Sequence, residues 1–178
     1  MSPTPATAPG RSVPVPTEQA PPLQVDLVGG GRFVLAEAHP ERFTLGFYRG
    51  WHCPICRGYL AQLDRAVGEL ARLGVEVLAA GGDDTERAGR GVTESHLERL
   101  RVGYVQSITS MRAWGLFVSK GVKEPELFAE PGVFPVGSDG SIHMVALNSM
   151  PAARPRIEDL VGAVRFFVEN DYPPRGEA

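Results

Sequence analysis

The sequence predicts an α/β fold, a central mixed β-sheet with helices on both faces, on three observations: a β-hairpin pattern near residue 23, a strand–helix–strand run over residues 42 to 80, and a second hairpin followed by an amphipathic helix near the C-terminus. The first hairpin is "LQVDLV" and "RFVLAE" flanking Gly29 to Gly31. "RFTLGFYRG" (42–50) is an apolar run of strand length. In the "CPICRGYLAQLDRAVGELARLG" that follows, Ile55, Leu60, Leu63, Val67, Leu70 and Leu73 keep helical spacing. Gly74 closes that helix, and "VEVLAAGG" (75–82) is the continuous apolar strand of a parallel sheet.

Asp83 or Asp84 caps a second helical region, expected broken between about 84 and 100 by "GRG" (89–91), with Ser95 to Glu98 as a capping box for a further piece. A short strand at "VGYVQS", a small helix around Thr109 to Trp114 and a hairpin turning on Asp139-Gly140 follow. The last helix, "PRIEDLVGAVRFFVEN", carries Ile157, Leu160, Val161, Val164, Phe167 and Val168 on one face, and Trp114 is assigned to the core. This order of elements is the thioredoxin-like plan. Residues 1–22, Pro-rich with few large apolar side chains, read as a disordered or extended arm, and residues 23–178 as the domain.

Of the 178 residues, 43% are apolar, which is enough for a core without disulfides. A net charge of −3 and a pI near 5.8 give no electrostatic footprint for nucleic acid or an anionic membrane surface. No apolar stretch approaches a membrane span and the N-terminus lacks a secretory pattern, so the expected address is cytoplasmic.

Both cysteines lie in "FYRGWHCPICRGYL" (47–60), where strand passes to helix. The attacking species in thiol chemistry is the thiolate, and a helix start favours an anion by roughly 0.3–1 kcal/mol when exposed. Cys53 sits at that start, Pro54 occupies the first-turn position that tolerates a missing N–H, and Cys56 follows one turn later, within disulfide reach. Cys53 is read as the exposed, attacking sulfur and Cys56 as the tucked, less acidic resolving one. His52, Arg49 or Arg57 could add positive charge, and Trp51 is expected to pack over the pair. A metal half-site would need two more ligands, and His39, His52, His96 and His143 form no suitable second pair, so no metal or organic cofactor is expected. "GGDD" (81–84) reads as a helix cap, and His143 as a sheet residue.

The same stretch resembles the peroxiredoxin-like branch of the alkyl hydroperoxide reductase and thiol-specific antioxidant group, in which F-Y-R-G leads into a W-C-P-x-C site. The similarity continues through "LERLRVGYVQSITSMRAWGLFVSKG", "EPELFAEPGVFPVGSDGSIHMVALNSMPAARPRIEDL" and "VENDYPPRGEA", covering about residues 23–177. It implies Cys53 as the peroxidatic cysteine, Cys56 as its partner, Pro131 near the position of a cis-proline facing the cysteines, and Arg154 or Arg49 as the arginine of the site. One departure stands out: where the main-type family carries Thr or Ser three residues before the attacking cysteine, this chain has Gly50.

The resulting expectation is a thiol-dependent oxidoreductase that reduces hydroperoxides through a Cys53 sulfenate and a Cys53–Cys56 disulfide. A thioredoxin-like or small dithiol would reset it, with a homodimer left open. The alternatives are a disulfide reductase without a peroxide site and a non-catalytic redox sensor or binding domain.

Overall fold

The computed structural model describes residues 13–38, 41–123 and 125–176. Its main sheet has seven strands in the order β2-β1-β5-β4-β3-β8-β9. Gln24–Leu27 (β1) and Arg32–Val34 (β2) form the first hairpin. Arg42–Phe47 (β3), Val75–Ala80 (β4) and Arg101–Tyr104 (β5) run parallel at the centre. β1 lies antiparallel on β5, and Gly132–Gly137 (β8) lies antiparallel on β3, with Ala146–Leu147 (β9) at the far edge. The sheet is therefore mixed, as expected.

Helix α1 (Pro54–Arg72) joins β3 to β4, and α4 (Ile157–Asn170) packs on it. On this face Leu60, Leu63, Leu70, Leu160 and Val164 enclose both cysteines in one core cluster. The opposite face is built on α3 (Ile108–Ala113) and an aromatic triad, Phe47, Trp114 and Phe134, whose ring centroids lie 5.0 to 5.7 Å apart. The apolar stripe of α1 runs as expected through Leu60, Leu63 and Leu70, except in the first turn, where Ile55 is 55% exposed and Cys56 takes the inward position.

Two expectations are corrected. Helix α2 (Thr85–Glu94) is unbroken through Gly89 and Gly91, where a Cβ would meet nothing closer than Trp51 at 3.9 Å. Ser95 ends this helix instead of opening another, because the amides of Glu98, Arg99 and Leu100 all donate to Asp64 Oδ1 at 2.7 to 3.0 Å. A second small sheet, Val118–Lys120 (β6) with Leu127–Ala129 (β7), was not foreseen.

Of the arm expected over 1–22, residues 1–12 lie outside the described residues. Residues 13–22 are docked on the domain, with a turn in which Glu18 N donates to Val15 O at 3.2 Å. Pro14 and Pro16 are buried, Thr17 N donates to Ile142 O at 2.8 Å, Ile142 N to Glu18 O at 2.8 Å and Ala20 N to Gly140 O at 2.9 Å. Proline suits such a segment because it brings a ring to bury and no N–H to satisfy.

Candidate active site

Strand β3 delivers the chain to a tight loop at its C-terminal end. Gly50 has φ of +133°, a left-handed geometry that glycine alone adopts without strain, and Cys53 N turns back to donate to Gly50 O at 3.1 Å. Cys53 is the N-cap of α1, and its Sγ accepts the Cys56 amide at 3.2 Å. Pro54 at the first helical position has no amide to leave unpaired. A sulfur thus occupies the place usually taken by a Ser or Asp oxygen. Both cysteines are free thiols and both are buried, at 3% and 0% exposure, so Cys53 is more enclosed than the sequence suggested.

The two sulfurs divide one proton unequally. Cys53 is held down at about 6, chiefly by the hydrogen bond from the Cys56 thiol, with the Cys56 amide and the Arg49 guanidinium adding to it against the cost of burial. Cys56 is pushed far up, first by donating to Cys53 and then by its own desolvation, with Arg154 and the Arg49 backbone amide opposing. The asymmetry expected from the sequence is present, and its main cause is the sulfur–sulfur hydrogen bond, more than the helix start.

The two candidate arginines serve different sulfurs. Arg49 faces Cys53, lies over the Phe128 ring at 4.5 Å and contacts Glu130 Oε2 at 3.3 Å through Nε. Arg154 acts on Cys56; its guanidinium lies over Tyr59 at 4.2 Å and its Nε donates to Pro151 O at 3.0 Å. Arg57 turns away to Glu94, 2.7 Å distant. His52 packs on Phe128 at 4.8 Å, and burial followed by the charges of Arg49 and Arg87 lowers its pKa, so it stays neutral and adds no positive charge. The Trp51 ring lies under Arg90 of α2 at 4.0 Å and donates to Glu94 at 2.8 Å, facing α2 and not stacked over the cysteines. Pro131 is buried and precedes β8, whose Gly132 pairs with Phe47, so it stands at the sheet end where the cysteine loop begins.

Several neighbours of the cysteines had no clear signal in the sequence. Asp84, not Asp83, caps α2. Asp83, 3% exposed, accepts the Trp51 amide on Oδ2 at 2.7 Å while Oδ1 has no hydrogen-bond partner, and burial raises its carboxyl to about 6. A Cβ at Gly50 would lie 2.6 Å from that Oδ1. The absent hydroxyl at position 50 is thus a structural exchange, since Asp83 fills the space a side chain there would need. Tyr48 is buried in the same cluster, its pKa raised by desolvation and then by Asp83 and Cys56. Glu130 and Phe128 come from β7 and its end, segments without a recognisable pattern.

Among the described residues no group of three or more His, Cys, Asp or Glu side chains could hold a metal ion, and no helix is long and apolar enough to cross a membrane. A groove of about 330 Å³ opens beside the site, between Ile55, Tyr59 and the Pro151–Arg156 loop.

This architecture, with a cysteine capping the first long helix, is a thioredoxin-like fold. The AhpC/TSA family model matches residues 16–145, and the chain belongs to that family, which places it among the thiol peroxidases. Among solved structures it is similar to Enterococcus faecalis AhpC (TM-score 0.73, 16% identity, 92% of this chain and 100% of that one). It is also similar to a peroxiredoxin-like protein from Aquifex aeolicus (0.72, 15%, 88% and 97%) and to peroxidoxin BcpB from Mycobacterium tuberculosis (0.71, 11%, 86% and 97%). At these identities the structures establish the fold. No curated protein matches the chain by sequence.

Proposed function

We propose that the protein reduces small hydroperoxides through Cys53, with Cys56 as resolving thiol. The observation that carries this reading is the Cys53 thiol held at about 6 one turn from a partner pushed far the other way. At pH 7 a midpoint of about 6 leaves roughly nine-tenths of Cys53 as thiolate, against about 3% for a free thiol near 8.5. The 3% exposure of Cys53 favours a substrate of a few atoms over a folded protein disulfide.

In the first step the Cys53 thiolate attacks one peroxide oxygen, the O–O bond breaks, and the departing oxygen leaves as alcohol or water after taking a proton. Arg49, beside the sulfur, stabilises negative charge through that step. The Cys56 sulfur then displaces hydroxide from the sulfenic acid, forming the Cys53–Cys56 disulfide and releasing water. An external dithiol, thioredoxin-like or small, supplies two electrons and two protons to restore the thiols. One observation favours a second reading, a disulfide reductase without a dedicated peroxide site: no side chain at position 50 can offer a hydroxyl to the substrate.

Intact mass after a small excess of peroxide tests both. The wild type loses two hydrogens as the disulfide forms, Cys56→Ser gains one oxygen and then two, and Cys53→Ser changes in neither way. If the wild-type thiolate consumes peroxide no faster than a small free thiolate yet reduces a model protein disulfide efficiently, the peroxidase reading gives way to the second.

A further inference from the structure

The small sheet of β6 and β7 ends against the cysteine loop. Ser119 of β6 pairs with Phe128 of β7, and Glu130 extends the ladder by donating its amide to Phe117 O at 2.7 Å. The Glu130 carboxylate is 3% exposed and held on one side only: Oε1 accepts Ser119 Oγ at 2.7 Å, while Oε2 touches Arg49 Nε at 3.3 Å without a directed hydrogen bond. Burying a carboxylate is costly unless a cation and hydrogen bonds compensate it, and here one oxygen lacks a directed hydrogen bond. A bidentate grip would be the strongest pairing, but it would draw away from Cys53 the charge of Arg49, which also bonds that sulfur.

We infer that Glu130, anchored by Ser119, is the positioning residue that holds Arg49 against Cys53 while withholding part of its charge from the sulfur. The inference rests on Cys53 being the attacking thiolate. The other titratable or charged groups near that sulfur are Cys56, which donates to it, Tyr48 and Arg154 beside Cys56, His52 beside Arg49 and Arg87, and Asp83 across the Gly50 turn. None of them contacts Arg49 as Glu130 does among the described interactions.

The arrangement couples geometry to redox balance. In the dithiol form Arg49 lies between two anions, Cys53 and Glu130; in the disulfide form only Glu130 remains charged. Glu130 therefore offsets Arg49's preference for the reduced protein. Removing its charge but keeping its shape leaves more of the cation to the thiolate, which favours the dithiol. Removing its anchor instead frees the carboxylate to swing and grip Arg49 with both oxygens, drawing the cation off the sulfur.

Two variants thus move the same quantities in opposite directions. In Glu130→Gln, the Cys53 midpoint, followed by thiolate absorbance in the ultraviolet, falls by about half a unit, and the dithiol–disulfide equilibrium with glutathione shifts about threefold toward the dithiol. A threefold shift corresponds to a potential about 15 mV more oxidising. In Ser119→Ala, the midpoint rises and the equilibrium shifts toward the disulfide. A role confined to stability would lower the melting temperature of both and draw both midpoints up toward the free thiol. That result, or two unchanged midpoints, overturns the inference. Wild-type Cys53 that fails to titrate near 6 would instead overturn the reading of Cys53 itself. Ser119→Ala loses a single hydrogen bond, so it keeps the test open should Glu130→Gln fold poorly.

Discussion

Two buried aspartates show opposite uses of the same side chain. Asp64, on α1 and 7% exposed, takes three backbone amides on one oxygen and so fixes the turn over residues 98–100. Asp83, 3% exposed, takes one amide on Oδ2 and none on Oδ1. The first carboxylate has exchanged water for the N–H donors of a loop. The second has lost water with little in return, and its carboxyl is raised to about 6. The difference teaches that a buried charge stabilises a fold through the donors it gathers. One left short of donors beside the cysteine loop is retained for its position, filling the space over Gly50 and tying down the Trp51 amide.

The most damaging way to probe that contrast is Asp64→Ala, which strands three amides in the interior. An unsatisfied buried donor costs about 1–3 kcal/mol, so a loss of about 3–5 kcal/mol in urea unfolding is expected, with Cys53 titrating unchanged in the protein that remains folded. Asp83→Asn should behave in the opposite sense, and with pH. The folded protein keeps the Asp83 proton up to about 6 whereas an ordinary aspartate releases it near 3.8. The stability associated with that proton is present below the lower value and lost as pH rises through the upper one. An amide in its place would carry no such loss, so the variant should gain on the wild type between pH 4 and 7, by up to about 3 kcal/mol at one pKa unit per 1.36 kcal/mol. Unfolding curves at pH 4 and 7.5 that give the same difference between variant and wild type would mean that Asp83 is as well solvated as its exposed counterparts. The smallest effect belongs to Gly50→Ala: a φ of +133° and a Cβ 2.6 Å from Asp83 Oδ1 predict a loss of about 1–3 kcal/mol. Part of that loss should vanish when Asp83 is also replaced by Ala, since the two positions share one contact.

What the sequence made legible follows the range of the interactions. Strands β1 to β5, the long helix α1 and the last helix α4 were visible because a short apolar run, a hairpin signal or a 3.6-residue apolar rhythm is carried by neighbours along the chain. The places of Cys53, Pro54 and Cys56 at the head of α1 were visible for the same reason, since a cap and its first turn are local. The three-residue strands β6 and β7 are too short to show a rhythm, and α2 looked broken because glycine was weighed by propensity alone. Arg49 and Arg154 could be named but not assigned, because each reaches its sulfur through folding. Glu130 and Asp83 were unreadable as site residues: each acts on a segment far away in sequence. The docking of residues 13–22 was missed because proline was counted as a breaker of ladders and not as a ring that can be buried.

The sulfur that caps α1 gives the protein a mechanical register of its chemistry. A thiolate at the N-cap is a full negative charge facing the open amides of a 19-residue helix, and the Cys56 amide points straight at it, 3.2 Å away. Oxidation of that sulfur to a disulfide would neutralise the charge, so the helix would lose its terminal anion. The first turn of α1 should then fray, exchanging its amide hydrogens for deuterium faster in the oxidised protein than in the reduced one. The turn that frays carries Ile55, already exposed at the surface. A reducing partner would thus meet a looser, more yielding edge only when there is a disulfide to reduce, and a firm one once the thiols return.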